Sequence, residues 1–183
     1  MEKKINILLV EDTRENYEFG MKLLKSEKDF NVELATSYSE AKQKINTHFY
    51  DFVVLDVMLP RKDADEEVNQ IMELITNSDL SEFARFPTRL SEAEEKALME
   101  SDLLPLGVLL MKECIERNIR FVIATDTDHH EGLGHPAAAL VRLIANKMGH
   151  RVKLYTPTYG KEKEFKKSNH LWMIVIEDIK EIS

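Results

Sequence analysis

Residues 51–60 read DFVVLDVMLP, a short apolar run that is interrupted by a carboxylate before the chain reaches a proline. No side chain between Phe52 and Leu55 is polar, and continuous runs of this length are typical of parallel strands buried on both faces. We therefore predict an inner strand of a parallel sheet over these residues. Asp56 follows at the carboxyl end of that strand.

Further strands are predicted on both sides of this run. Two of them are compact apolar runs like the first, one ending at Glu11 and Asp12 and the other at Thr125. In chain order, the predicted strands comprise residues 6–10, 30–35, 52–55, 121–124 and 152–155.

Segments with helical spacing separate these strands. Asp12 is predicted to cap the first helix, with Glu15 completing a capping box, and Ser37 to open the second. Residues 106–115 and residues 135–148 are also predicted to be helical. The final segment, residues 168–182, has helical spacing, although its LWMIVI core alone would also fit a strand, and we predict a helix.

Strands that alternate with helices imply βαβ units with right-handed crossovers and a parallel sheet. We predict an α/β, flavodoxin-like, three-layer αβα fold with a five-stranded parallel sheet in the order 2-1-3-4-5. In this fold the ligand site lies beyond the carboxyl ends of the strands. Residues 1–183 are predicted to form one domain.

Residues 61–104 are predicted to be a helical insertion, because they are more numerous than an ordinary connection requires. Val68, Ile71, Met72 and Ile75 share one helical face, and Ser91 with Glu94 has the pattern of a capping box. Two alternatives remain for this segment: a helical cover packed on the domain, which we favour, or a docking element for a partner. Phe83 and Phe86 are the candidates for its contacts.

The composition restricts location and partners. The net charge of −8 argues against non-specific binding to nucleic acid, and no apolar run approaches the roughly 18 residues that a membrane span requires. Cys114 is the only cysteine, so an intramolecular disulfide is impossible, and the first residues lack the pattern of a signal peptide. We expect a cytoplasmic protein.

The strand ends carry the candidate chemistry, because Glu11, Asp12, Asp56 and Thr125 would meet at one edge of the predicted sheet. Carboxylates so close repel one another unless a cation intervenes, and Mg²⁺ prefers such oxygen ligands. An aspartate beside Mg²⁺ can attack a phosphoryl group, and Thr125 can donate to a phosphoryl oxygen. Each residue also has a plain structural role: Asp12 as a helix cap, Asp56 as a polar strand exit and Thr125 as a loop hydroxyl.

Three segments resemble response-regulator receiver domains of two-component signalling. ILLVED at 7–12, with Asn16 shortly after it, resembles the family's opening, and residues 51–60 resemble its phosphoacceptor segment. FVIAT at 121–125 resembles its switch segment. The resemblance covers roughly residues 4–60 and 105–157.

This resemblance implies that Asp56 is the phosphoacceptor. It also implies that Mg²⁺ is bound by Glu11, Asp12, Asp56 and the backbone carbonyl of Met58. Thr125 would act on the phosphoryl group as the switch residue.

The chain departs from the family after the fifth strand, where members usually carry Lys-Pro and this sequence has Thr156-Pro157. The expected lysine is therefore missing from its usual position, and Lys153 and Lys161 are the candidates to replace it. Tyr155 lies two residues from the position of the family's switch aromatic.

A polar segment over residues 126–135 contains three histidines and three carboxylates. His129 and His130 are candidate ligands for Zn²⁺ or another transition metal, but the spacing matches no strong motif. A polar loop that borders the site is the favoured interpretation.

Three hypotheses of function follow. The first is a non-enzymatic phosphorelay receiver that takes a phosphoryl group from a histidine kinase or phosphotransfer protein and signals through a downstream protein, without nucleic-acid or membrane binding. The second is a divergent receiver that acts as a phosphorylation-independent interaction module, which the missing lysine motivates. The third is a metal-dependent hydrolase that uses His129 and His130.

Overall fold

A computed structural model describes residues 4–62, 64–77, 96, 100–126, 134–157 and 165–181 of the chain. The strands in this part of the chain are β1 (Ile5–Val10), β2 (Phe30–Ala35), β3 (Phe52–Leu55), β4 (Leu59–Pro60), β5 (Leu103–Leu104), β6 (Arg120–Ala124) and β7 (Leu154–Tyr155). Five of them form a parallel sheet in the order β2-β1-β3-β6-β7. The predicted α/β fold and strand order are therefore confirmed.

The helices in the described residues are α1 (Arg14–Ser26), α2 (Tyr38–Thr47), α3 (Asp65–Asn77), α4 (Gly107–Glu116), α5 (Gly134–Lys147) and α6 (Asn169–Lys180). The helix predicted for the final segment is present as α6. Its N-cap is Ser168, whose hydroxyl oxygen accepts a hydrogen bond from the Leu171 N–H at 3.2 Å. Ser37 caps α2 in the same way, as predicted.

The sheet has a separate apolar core on each face. Successive residues of β1 point to opposite faces, so Leu8 and Val10 join the core beneath α2, α4 and α5, while Ile7 and Leu9 join the core beneath α1 and α6. All four side chains are at most 2% exposed. This burial on both faces explains why the strands are continuous apolar runs and confirms the three-layer arrangement.

The predicted role of Asp12 as a helix cap is wrong. The N-cap of α1 is Thr13, and no side chain makes a capping hydrogen bond there. The connection between β1 and α1 is one residue longer than predicted. Within it, the Glu11 carboxylate accepts a hydrogen bond from the Thr13 N–H at 3.2 Å. Asp12 thus stays at the edge of the sheet.

The two ends of the predicted insertion lie side by side, because β4 and β5 pair in an antiparallel arrangement. Between them, α3 places the buried side chains of Val68 and Ile71, together with the partly buried Met72, against the core beneath α4 and α5. The side chain of Ile75, the capping box at Ser91 and the two phenylalanines at 83 and 86 lie outside the described residues. The limits 61–104 and the single domain over 1–183 remain predictions.

None of the helices in the described residues is both long enough and apolar enough to cross a membrane.

Candidate active-site pocket

Three carboxylates meet at the carboxyl edge of the sheet, as predicted. Glu11 and Asp12 follow β1, and Asp56 follows β3, which pairs with β1 so that Val10 lies opposite Leu55. One oxygen from each carboxylate lies within 4.8 Å of the others. Glu11 and Asp56 are each only 3% exposed, and Asp12 is half-buried.

The buried amine of Lys166 lies among these carboxylates. Its Nζ is 2.5 Å from Asp56 Oδ2, 2.6 Å from Glu11 Oε2 and 3.7 Å from Asp126 Oδ1. Lys166 is 2% exposed, so both close ion pairs are shielded from water. The pocket therefore contains a lysine, although the sequence has none at the position that the resemblance predicts.

Of the two candidates that the sequence offers for this lysine, Lys153 is wrong. Lys153 Nζ pairs with Asp178 and Glu181 instead of entering the pocket. Lys161 lies outside the described residues. Lys166 was missed because it follows β7 by eleven residues rather than directly.

One signal in the sequence would have found Lys166. Each helix that follows a strand in this fold begins at the carboxyl edge of the sheet. Lys166 stands two residues before Ser168, the N-cap of α6, so its backbone had to lie at that edge. A lysine just before the predicted start of the last helix was therefore a candidate for the pocket.

Burial controls the ionisation of the acidic groups. Desolvation raises the pKa of Asp56 and of Glu11, and the charge of Asp56 raises the pKa of Glu11 further. The pKa of Asp12 is also raised, by its partial burial and by Asp56. Lys166 opposes these shifts, but one amine does not neutralise three carboxylates, so the pocket favours an additional cation.

Lys166 itself is held in its charged form. Burial alone would lower the pKa of its amine, but the charges of Asp56 and Glu11 outweigh burial, and the pKa is raised. The amine that faces Asp56 is therefore in its charged form.

Polar groups surround the carboxylates. Asn16, which is 4% exposed, donates through Nδ2 to Glu11 Oε1 at 3.2 Å and to Asp126 Oδ2 at 3.1 Å. Thr125, also 4% exposed, directly follows β6, and a hydrogen bond between its side chain and Asp56 opposes the rise in the pKa of the aspartate. Asn16 thus orients Glu11, and Thr125 lies next to the predicted phosphoacceptor as expected.

The loop after Asp56 is fixed by the start of α4. The Met58 N–H lies 3.4 Å from Asp56 Oδ1, and the Gly107 N–H donates to the Val57 carbonyl at 3.0 Å. A Cβ at position 107 would come within 2.0 Å of the Asp56 carbonyl oxygen, so only glycine permits this approach. The metal-binding role of the Met58 carbonyl remains a prediction.

Tyr155, the candidate switch aromatic, is connected to α6. Its hydroxyl donates to the Asp178 carboxylate, which also accepts from Lys153. Burial and this carboxylate raise the pKa of Tyr155. The backbone carbonyl of Tyr155 accepts from the Thr125 N–H at 3.1 Å, so the contact between these two residues passes through the main chain.

Among the described residues, Glu11, Asp12 and Asp56 form the group of carboxylates able to hold a metal ion. The candidate ligands His129 and His130 lie outside the described residues, so the hypothesis of a histidine metal site stays untested.

Comparisons with known proteins agree with this arrangement. The family model for the response regulator receiver domain matches residues 7–78, which include all three carboxylates. No curated protein sequence matches the chain.

Solved structures share the fold at low sequence identity. The response regulator domain of Thermotoga maritima CheB has a TM-score of 0.53 and 13% identity, and the match covers 98% of this chain and 96% of that one. A CheY-like receiver domain protein from Methanospirillum hungatei has a TM-score of 0.50 and 15% identity over 98% of this chain and 97% of that one. The phosphorylated cyanobacterial phytochrome response regulator RcpA has a TM-score of 0.50 and 14% identity over 95% and 92%.

The fold and the acidic pocket define a flavodoxin-like α/β protein whose site lies at the carboxyl edge of the sheet. Together with the match of residues 7–78 to the response regulator receiver domain, they identify a CheY-like receiver fold, with extra regions beyond the matched residues. Its acidic cluster is typical of the Mg²⁺ site of receivers. The donors fit that ion, because they are oxygen ligands with excess negative charge.

Proposed function

We propose that Asp56 accepts a phosphoryl group from a histidine kinase or phosphotransfer protein, and that a downstream protein recognises the phosphorylated state. The observation that carries this proposal is the buried amine of Lys166, which lies 2.5 Å from Asp56 Oδ2 within the acidic cluster. A carboxylate nucleophile, a charged donor and a cluster suited to a divalent cation thus occupy one pocket.

Each residue of the pocket has a separate part in the proposed transfer. A carboxylate oxygen of Asp56 attacks phosphorus, the bond from phosphorus to the donor's nitrogen breaks, and that nitrogen keeps the electron pair and takes up a proton. Lys166 and Thr125 donate hydrogen bonds to the phosphoryl oxygens. Negative charge that develops on those oxygens is thereby stabilised.

Glu11, Asp12, Asp56 and the carbonyl of Met58 are the proposed ligands for Mg²⁺. The ion, when bound, supplies charge neutralisation at the transferring phosphoryl group. Asn16 holds Glu11 through its 3.2 Å hydrogen bond and so orients one of these ligands. The chain itself acts as phosphoacceptor and not as an enzyme with a separate substrate.

The presence of Lys166 favours this function over the phosphorylation-independent interaction module. That alternative rests on the absence of the family's lysine from its usual position. The buried amine of Lys166 lies within 2.6 Å of both Glu11 and Asp56, so a lysine is in the pocket after all. We further propose that the protein acts in the cytoplasm through protein contacts and without nucleic acid, which its charge of −8 disfavours.

The proposal is tested by incubating the purified protein with acetyl phosphate and Mg²⁺ and measuring its intact mass. We expect the mass of one phosphoryl group to be added, and chelation of the metal to prevent the addition. Asp56→Asn should remove the gain.

Asp51→Asn is the matched control, because Asp51 precedes the same strand at its opposite end and accepts from the Asn6 N–H at 2.8 Å, a bond that asparagine can keep. This variant should gain mass like the wild type. The proposal is overturned if the wild type gains nothing, or if Asp56→Asn gains as much as Asp51→Asn.

A further inference from the structure

We infer that Trp172 is a positioning residue that holds Lys166 against Asp56. The importance of Lys166 rests on the proposed function, whereas its placement rests on contacts within the chain. Trp172 and Lys166 are among the largest fully buried side chains of the described residues. The indole Nε1–H of Trp172 donates to the backbone carbonyl of Lys166 at 2.7 Å.

The indole is itself fixed between two helices. Trp172 lies in the first turn of α6, and its ring occupies the space above Gly20 of α1. A Cβ at Gly20 would come within 2.4 Å of the indole Cζ2, so the absence of a side chain there makes room for the ring. The donor that reaches Lys166 is therefore held by packing and has little freedom to move.

The other contacts of the turn before α6 act around the Lys166 backbone: the Ser168 N–H donates to the Phe165 carbonyl at 3.1 Å and closes the turn that contains Lys166. Lys167 pairs with Glu15, but both side chains are exposed, and exposed ion pairs contribute little. Ser168 caps α6 and so fixes where the helix begins. Within the described residues, the buried indole N–H is the group that donates a hydrogen bond to the Lys166 carbonyl.

Lys166 is therefore held in place by a helix, α6, and not by the fifth strand of the sheet. A lysine placed directly after the fifth strand would be held by the sheet, whereas Lys166 follows β7 at a distance and lies in a turn. Its side chain has four rotatable bonds, so the Nζ position depends on how firmly the backbone is held. Trp172 thus acts on Asp56 through Lys166.

The first test is a double-mutant cycle on the rate of phosphorylation by acetyl phosphate, with Trp172→Phe and Lys166→Met. We expect Trp172→Phe to slow phosphorylation about tenfold in the wild-type background, as the loss of one hydrogen bond predicts, and to have no further effect when Lys166 is already methionine. An equal slowing in both backgrounds would show a general structural role and overturn the inference. Met173→Ala, an exposed neighbour on α6, is the control that should leave the rate unchanged.

A second variant removes only the donor. Trp172 is the single tryptophan of the chain, so biosynthetic replacement of tryptophan by benzothienylalanine exchanges the N–H for sulfur in a ring of nearly the same shape. This protein should fold like the wild type and show the same slowing as Trp172→Phe. A wild-type rate would overturn the inference, even if Trp172→Phe itself failed to fold.

The position of Lys166 is also measured without phosphorylation, by labelling amines with an acetylating reagent and comparing Lys166 with the exposed Lys167 by mass spectrometry. Loss of the indole donor should increase labelling of Lys166 severalfold and leave Lys167 unchanged. Unchanged labelling of Lys166 would overturn the inference. If the wild type takes no phosphoryl group but labelling increases, the proposed function fails while the positioning role stands.

Discussion

The two halves of the pocket are positioned by different means. The carboxylates of Glu11 and Asp56 follow adjacent parallel strands, and the hydrogen bonds of the sheet set their separation. The amine of Lys166 comes from a turn 110 residues beyond Asp56 in the chain, and side-chain contacts between α1 and α6 set its place. The acidic half therefore depends on strand register, and the basic half depends on helix packing.

The largest effect is expected when the basic half is removed. Lys166→Met leaves Glu11 and Asp56 buried without their counter-ion, and breaking a buried ion pair in this way costs about 3–5 kcal/mol. We expect a loss of this order in the free energy of unfolding, measured by urea denaturation in a chelating buffer. Mg²⁺ should restore part of the loss by supplying positive charge.

A second substitution distinguishes repulsion between the Glu11 and Asp56 carboxylates from the loss of packing around Lys166. Asp56→Asn removes one of the two buried charges, so it should stabilise the Lys166→Met protein more than it changes the wild type. If Lys166→Met were as stable as the wild type without metal, the carboxylates would not depend on the amine, and the proposed division of the pocket would be wrong.

The next effect concerns the acidic half. Gly107→Ala would place a Cβ 2.0 Å from the Asp56 carbonyl oxygen and 2.8 Å from the Val57 Cα, so the backbone of the loop must shift. Overpacking against a backbone costs about 2 kcal/mol, and we expect this loss in urea denaturation together with slower phosphorylation.

Gly149→Ala is the control for this substitution. Apart from its two chain neighbours, no described residue has an atom within 4 Å of a Cβ at position 149, so the backbone angle of φ +71° is what penalises alanine, at about 1 kcal/mol. Gly149→Ala should lower stability without slowing phosphorylation. If both variants changed the phosphorylation rate equally, the conformation of the 56–58 loop would not control the reactivity of Asp56, and the prediction would be wrong.

The same contrast explains how much was predictable from sequence. The strands were recognisable because burial on both faces requires continuous apolar runs, and residues that follow parallel strands must meet at one edge of the sheet. Glu11, Asp56 and Thr125 were located in this way. The cap at Asp12 was placed one residue too early, since strand exit depends on local hydrogen bonds that composition does not reveal.

Lys166 was not found from family spacing for a physical reason. Lys166 is supported by the indole of Trp172 on α6, which donates to its carbonyl and packs over Gly20 on α1. Gly20 is distant in sequence from the other two residues. A glycine inside a helix and a tryptophan near a helix start have many ordinary explanations when read singly. Only the packed structure joins them to the pocket.

The smallest effect distinguishes two helix caps of equal geometry. Ser37 and Ser168 each accept a backbone N–H at 3.2 Å, so Ser37→Ala and Ser168→Ala should each cost about 1 kcal/mol in urea denaturation. Their effects on phosphorylation should differ, because Ser168 fixes the turn that carries Lys166, whereas Ser37 begins a helix on the other face of the sheet. We expect Ser168→Ala to slow phosphorylation a few-fold and Ser37→Ala to leave the rate unchanged. Equal rates in the two variants would mean that Lys166 is held independently of the start of α6, and that the basic half of the pocket is as rigid as the acidic half.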